Sequence, residues 1–78
     1  MLSFLYRLVR TFREEHGYRP NVVVMNAGHY RLLQDSLPEL ANPAELAHFL
    51  DMDILLSEEA VHPHVAWMPQ IQRASAGG

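Results

Sequence analysis

The sequence predicts a small α+β domain in which a three-stranded mixed sheet carries three helices, in the order α-β-α-α-β-β. Three observations predict it: an amphipathic opening segment, a β-branched run at residues 22–25, and a capped helix start at residues 42–45. A length of 78 residues allows one domain. We expect this domain to occupy residues 1–70, and residues 71–78, which have no apolar pattern, to form a disordered tail.

The first helix is expected at residues 3–16. Gly17 suits the left-handed position that ends a helix, and Pro20 prevents continuation. The residues expected on the buried face follow i, i+3, i+4, i+7 spacing: Leu5, Leu8, Val9 and Phe12. Three apolar residues lie off this face: Leu2, Phe4 and Tyr6.

The first strand is expected at residues 22–25, which are apolar without alternation. Such a strand is typically covered on both faces, as in the middle of a partly parallel sheet. Asn26 then caps a second helix that ends before Pro38. This helix is expected to bury Tyr30, Leu33 and Leu37.

The third helix has the clearest local signal. Asn42 is a favoured N-cap, Pro43 fits the first helical position, and Glu45 lies where a capping box has its acid. The residues expected on its buried face are Leu46, Phe49 and Leu50.

Two further strands complete the predicted sheet. Residues 54–56 indicate a second buried strand, and the two short helices before it allow a right-handed parallel crossover. Residues 64–68 indicate a third strand at an edge, because prolines bracket it. We expect the third strand to pair with the second as a hairpin across residues 57–63.

Size and composition limit how the domain is stabilised. A chain this short buries only about 60% of its unfolded surface, so it often needs a disulfide, a metal or a partner. It has no cysteine, which leaves self-association, expected as a homodimer, or a histidine/carboxylate metal site. No apolar run approaches the roughly 20 residues of a membrane span. Arg7 and Arg10 interrupt the apolar start, so we expect a mature fold in the cytoplasm.

A histidine pair is the sharpest candidate for metal binding. His62 and His64 are two apart, so in an extended chain both imidazoles point to one side. Glu58 and Glu59 lie just upstream, and zinc accepts such nitrogen and oxygen ligands. The alternative is a turn with two solvated histidines.

A helix start after the first strand is the candidate anion site. Asn26, Gly28 and His29 lie where backbone N–H groups can bind an anion and where His29 can exchange a proton. The alternative is an ordinary capped helix. We expect no catalytic residue, because no serine has a nucleophile-elbow context, and we expect no cofactor.

Charge is distributed unevenly along the chain. Residues 1–31 carry +3, whereas residues 32–78 carry −6. Arg7, Arg10 and Arg13 form a basic stripe, for which we favour pairing with acidic residues of the same or a neighbouring subunit. Binding to nucleic acid or a membrane surface is the alternative, and the net charge of −3 disfavours it.

Aromatic residues beside arginine are typical of interfaces. Trp67 falls on the predicted edge strand, although a small core also needs its aromatic residues. The expected interface residues are Phe4, Tyr6, Arg7, Arg10 and Trp67.

Residues 20–26, with Tyr30 and Leu33, resemble a strand-to-helix segment of tailed-phage major capsid proteins. The resemblance covers under a fifth of the chain and implies shared local architecture only.

The sequence therefore predicts a small binding or accessory domain, of bacterial type, that self-associates or serves an unidentified protein partner. One alternative is a metal- or anion-binding domain that uses the histidine pair or the helix start. The other is a nucleic-acid or membrane-surface binder that uses the basic first helix.

Overall fold

The computed structural model describes residues 1–40 and 42–69. These residues form α1 (Leu2–His16), β1 (Val22–Met25), α2 (Ala27–Ser36), α3 (Pro43–Leu50), β2 (Asp53–Leu56) and β3 (His64–Ala66). The predicted fold class and element order are confirmed. The tail predicted at residues 71–78 lies outside the described residues.

The sheet has the strand order β2-β1-β3, so β1 is central, parallel to β2 and antiparallel to β3. The predicted hairpin between the second and third strands is therefore wrong. The Asn26 side chain donates a hydrogen bond to the Ala60 carbonyl at 3.0 Å. This bond holds the chain after β2 at the end of β1, from which β3 continues along the far side of β1.

The core lies on one face of the sheet. Val23 pairs with Ile54 and Val65, so these three side chains share a face. All three helices contribute to the core on this face, through Leu5, Leu33, Leu46 and Leu50.

The opposite face of the sheet is less covered in the described part of the chain. Val24 is half-buried there, and its strand partners Leu55 and His64 are exposed. Val22 on the same face is nevertheless buried. β1 is therefore central and apolar as expected, but the expectation that both of its faces are covered is met only in part, because the helices pack on one side of the sheet.

Three predictions of burial are wrong. Residues 54–56 were expected to be buried, but Leu55 and Leu56 are 47% and 53% exposed because β2 is an edge strand. Phe49 is also exposed, because the short α3 meets the core through Leu46 and Leu50, one turn apart. Leu2, expected off the buried face, packs against the core.

The predicted caps are confirmed. Gly17 ends α1 with φ 81°, in the left-handed region. Asn26 Oδ1 accepts a 2.8 Å hydrogen bond from the His29 N–H at the start of α2. Asn42 Oδ1 accepts one of the same length from the Ala44 N–H at the start of α3.

Asn21 ties the strands together at the opposite end of β1. Its side chain donates to the Met68 carbonyl at 2.7 Å and accepts from the Met68 N–H at 2.8 Å. Its main chain bonds to Ala66 and to Asp53. A single residue therefore links β1 to both neighbouring strands.

Candidate interaction surfaces

A groove runs between α1 and β3 and has a volume of about 390 Å³. Phe4, Leu8 and Phe12 of α1 and Val65 of β3 supply apolar walls, and Arg7 and Glu15 line the same groove. These α1 residues recur every three or four positions, so they lie along one side of the helix. The groove thus combines apolar surface with one guanidinium and one carboxylate group.

A row of aromatic rings continues this groove. The ring centroids of Phe12 and His16 are 4.2 Å apart, and those of Phe12 and Tyr18 are 5.7 Å apart in an edge-on arrangement. Tyr18 in turn meets Trp67 edge-on at 6.3 Å. Trp67 stays 50% exposed, so these contacts hold it at the surface rather than inside the core.

The five predicted interface residues are exposed but do not form one patch. Phe4 and Arg7 line the groove, and Trp67 ends the aromatic row. Arg10 lines a separate hollow with Arg13 and Glu14. Tyr6 is exposed on α1 and is not among the residues that line the groove. Their role in an interface stays a prediction.

The arginines of α1 have no acidic partner within the described residues. Arg7, Arg10 and Arg13 are all exposed. The ion pair that the described residues do form joins Arg19 and Asp51 at 3.9 Å, and both side chains are largely solvated. Such a surface pair contributes little to stability. The described residues thus show no pairing of these arginines with acidic residues of the same subunit. Pairing with a neighbouring subunit stays a prediction.

Across the sheet from this groove lies an exposed edge of apolar and acidic residues that was not among the predicted sites. We define the β2 edge as Leu55, Leu56, Glu58 and Glu59, all exposed. The signal was two leucines followed by two glutamates, but their exposure depends on β2 being outermost.

The turn after β2 holds this edge in place. The Ser57 N–H donates to the Met25 carbonyl at 2.9 Å, and the Ala60 N–H donates to the Ser57 carbonyl at 3.2 Å. Ser57 Oγ also accepts a 3.3 Å bond from the Glu59 N–H. Ala60 is buried and accepts the bond from Asn26. The two glutamates therefore project from a fixed backbone.

The histidine pair stays a prediction as a metal site. His62 and His64 are both exposed, on either side of the buried Pro63. Within the described residues, no three histidine, aspartate or glutamate side chains are grouped so as to hold a metal ion. A metal on this pair would thus need ligands from solvent or another molecule.

The predicted anion site also stays a prediction. Asn26 Oδ1 already accepts the His29 N–H that an anion would use. The same oxygen lies 3.3 Å from where a Cβ on Gly28 would be, so the cap fills this space. The Nδ1 atom of His29 is buried without a hydrogen-bond partner within the described residues. The observed hydrogen bond is that of an ordinary helix cap, which was the alternative to an anion site.

The chain matches no known protein family, and comparisons with curated proteins and with solved structures find no match. None of the helices in the described ranges has the length and apolar character needed to cross a membrane.

Proposed function

We propose that this chain is a small binding domain, without catalytic activity, that self-associates through exposed apolar surfaces. One observation carries the proposal. The groove with Arg7 lies beside β3, and the acidic β2 edge lies at the other side of the sheet. Both surfaces expose large apolar side chains, among them Phe4 in the groove and Leu55 and Leu56 on the β2 edge.

Two further features support self-association. A domain of this size gains stability when a partner covers exposed apolar surface. Leu55, Leu56 and Trp67 are each about half exposed, and aromatic and arginine residues are enriched in interfaces. The proposal includes a cytoplasmic location and the possibility that the same surfaces serve an unidentified protein partner.

The test is the solution mass by light scattering over a concentration series at low and high salt. We expect at least twice the chain mass of 8.9 kDa at low salt. A mass that stays the same at high salt indicates an apolar contact, whereas a mass that falls as salt rises indicates pairing between charged groups, because salt screens charges between exposed groups. A chain that stays monomeric at millimolar concentration in low salt would contradict the proposal.

Binding of the α1 arginines to nucleic acid or an anionic membrane is the second candidate. The observation in its favour is that Arg7, Arg10 and Arg13 are exposed without an acidic partner in the described residues. Titration with duplex DNA, and with vesicles that contain anionic lipid, tests it at the same two salt concentrations. Binding that weakens steeply with salt favours this candidate.

A further inference from the structure

We propose that the β2 edge binds an extended, basic segment of a partner protein, which joins the sheet as an added strand beside β2. This inference rests on the proposed function in one respect, namely that the chain is a binding domain, and it names the chemistry of the partner. It does not require self-association. In recognition by strand addition, backbone hydrogen bonds supply affinity and side chains supply specificity.

The backbone of β2 has one open side. The N–H groups of Asp53 and Ser57 donate to carbonyls in and beside β1, at 3.0 and 2.9 Å. Because the backbone groups of successive strand residues point to alternate sides, Ile54 and Leu56 direct theirs away from β1. β2 is the outermost strand of the described sheet. The two N–H and two C=O groups of Ile54 and Leu56 are therefore placed to pair with a further strand.

The exposed leucines favour a strand as the occupant. Leu55 and Leu56 are 47% and 53% exposed, and as neighbours in a strand they lie on opposite faces of the sheet. A helix or a flat surface laid on one face covers only one of them. The side chains of an added strand alternate in the same way, so they pack beside Leu55 on one face and beside Leu56 on the other.

Charge selects a basic segment. Residues 51–61 contain four acidic residues and no arginine, lysine or histidine. Asp51 pairs with Arg19, whereas no ion pair within the described residues uses Glu58 or Glu59. A basic strand gains from this charge. An acidic strand, including β2 of a second copy, meets like charges, which destabilise a strand pair.

Of the two edges of the sheet, β2 is the less protected. Edge strands are commonly blocked by lysine, proline or a very short length. β3 has three residues and is flanked by Pro63 and Pro69. β2 has four residues without lysine or proline, and its one charged residue, Asp53, is the first. Since hydrogen bonds already hold the turn after β2, binding orders little additional backbone.

The position of the glutamates indicates the polarity of the bound segment. Antiparallel pairing is slightly more stable per residue than parallel pairing. The first residues of an antiparallel added strand lie beside the end of β2, which Glu58 and Glu59 follow. The probe is therefore a peptide with two arginines followed by alternating valine and threonine, with both ends blocked.

The experiment titrates this peptide into the isotope-labelled chain at low salt and follows the backbone amides by NMR and hydrogen exchange. We expect the N–H groups of Ile54 and Leu56 to exchange freely in the free chain and to be protected in the complex. The N–H of Leu55 faces β1 and should be protected in both states. A purely ionic contact would not produce this alternation.

Two control peptides separate backbone pairing from charge. One carries methyl groups on the backbone nitrogens that face β2, so it cannot donate to the edge, and we expect about tenfold weaker binding or less. The other has glutamates in place of the arginines and should bind more weakly than the probe at low salt. If the methylated peptide binds as well as the probe, strand addition is wrong.

A variant of the chain tests the backbone of the edge. Leu56→Pro removes an N–H that faces away from β1, a position at which an edge strand tolerates proline. Leu56→Thr changes the side chain and keeps the N–H. We expect Leu56→Pro to bind the probe about tenfold more weakly than Leu56→Thr, or worse. Thermal unfolding checks that both are folded; if Leu56→Pro is not, the methylated peptide tests the same hydrogen bonds.

A second pair of variants tests the charge. Glu58→Gln/Glu59→Gln should weaken binding about threefold to tenfold at low salt. Asp35→Asn/Glu39→Gln removes the same charge from exposed residues outside the edge and should bind the probe as the wild type does. Equal losses in the two variants would mean that only the net charge of the chain attracts the peptide.

The outcomes separate this inference from self-association, which light scattering measures on the same samples. Failure to bind millimolar peptide, or binding without protection of Ile54 and Leu56, overturns strand addition. A chain that associates but does not bind the peptide keeps the proposed function and loses this inference. A monomeric chain that binds it with the expected protection loses self-association and keeps strand addition.

Discussion

At the scale of single residues, Asn26 does more than the helix cap that its position predicts. Its Oδ1 caps α2 through the His29 N–H, and its Nδ2 donates to the Ala60 carbonyl. The cap is a local feature that the sequence indicates. The bond to Ala60 joins residues 34 positions apart, so no local sequence pattern predicts it.

Replacing Asn26 with alanine is expected to lower the free energy of unfolding by about 1.5–3 kcal/mol, because it removes a cap and a tertiary hydrogen bond. Urea denaturation measures this. The control is Asn42→Ala, which removes the exposed cap of α3 and should cost about 1 kcal/mol. Equal losses in the two variants would mean that the bond to Ala60 contributes nothing.

At the scale of elements, α1 ends where the sequence predicts because Gly17 adopts φ 81°. Within the described residues, no atom other than those of its two chain neighbours lies within 4 Å of the position that a Cβ on Gly17 would occupy. The cost of adding a side chain there is therefore conformational.

Gly17→Ala is expected to lower the free energy of unfolding by about 1–2 kcal/mol, the cost of a left-handed conformation for an L-residue. Gly17→Asn should cost less, because asparagine tolerates that conformation. Thermal unfolding compares the two variants. An alanine variant as stable as the wild type would show that the end of α1 rearranges without loss.

Strands show the limit of local patterns at this scale. β1 and β2 are both short and apolar, and only β1 is central. An edge strand with two exposed leucines has the same local sequence character as a buried strand. Which strand is central depends on the path of the chain after β2. The hydrogen bond between Asn26 and Ala60 lies on that path.

At the scale of the whole molecule, one small core lies between the helices and one face of the sheet. Leu46 is fully buried in this core, whereas Phe49, one turn apart on the same helix, is 46% exposed. The smaller side chain, Leu46, should therefore contribute more to the free energy of unfolding than the larger one, Phe49.

Leu46→Ala is expected to lower the free energy of unfolding by about 2–5 kcal/mol, because it leaves a cavity in the core. Phe49→Ala should cost clearly less despite the larger side chain, since Phe49 is already 46% exposed. Urea denaturation at one fixed protein concentration measures both, because association also changes apparent stability. A larger loss for Phe49→Ala would place that ring in the core.

The sequence by itself determined the element order, the ends of α1 and α2, and the caps at Gly17, Asn26 and Asn42. These features depend on backbone conformation and on hydrogen bonds within a few residues, so local residue types encode them. Only the tertiary structure decided that β3 pairs with β1, that the β2 edge is exposed, and that Asn21 links both outer strands. These features depend on contacts between distant segments, and several arrangements satisfy the same apolar pattern. The groove and the β2 edge follow from that arrangement, because each consists of residues that meet or are left exposed only after the strands have paired.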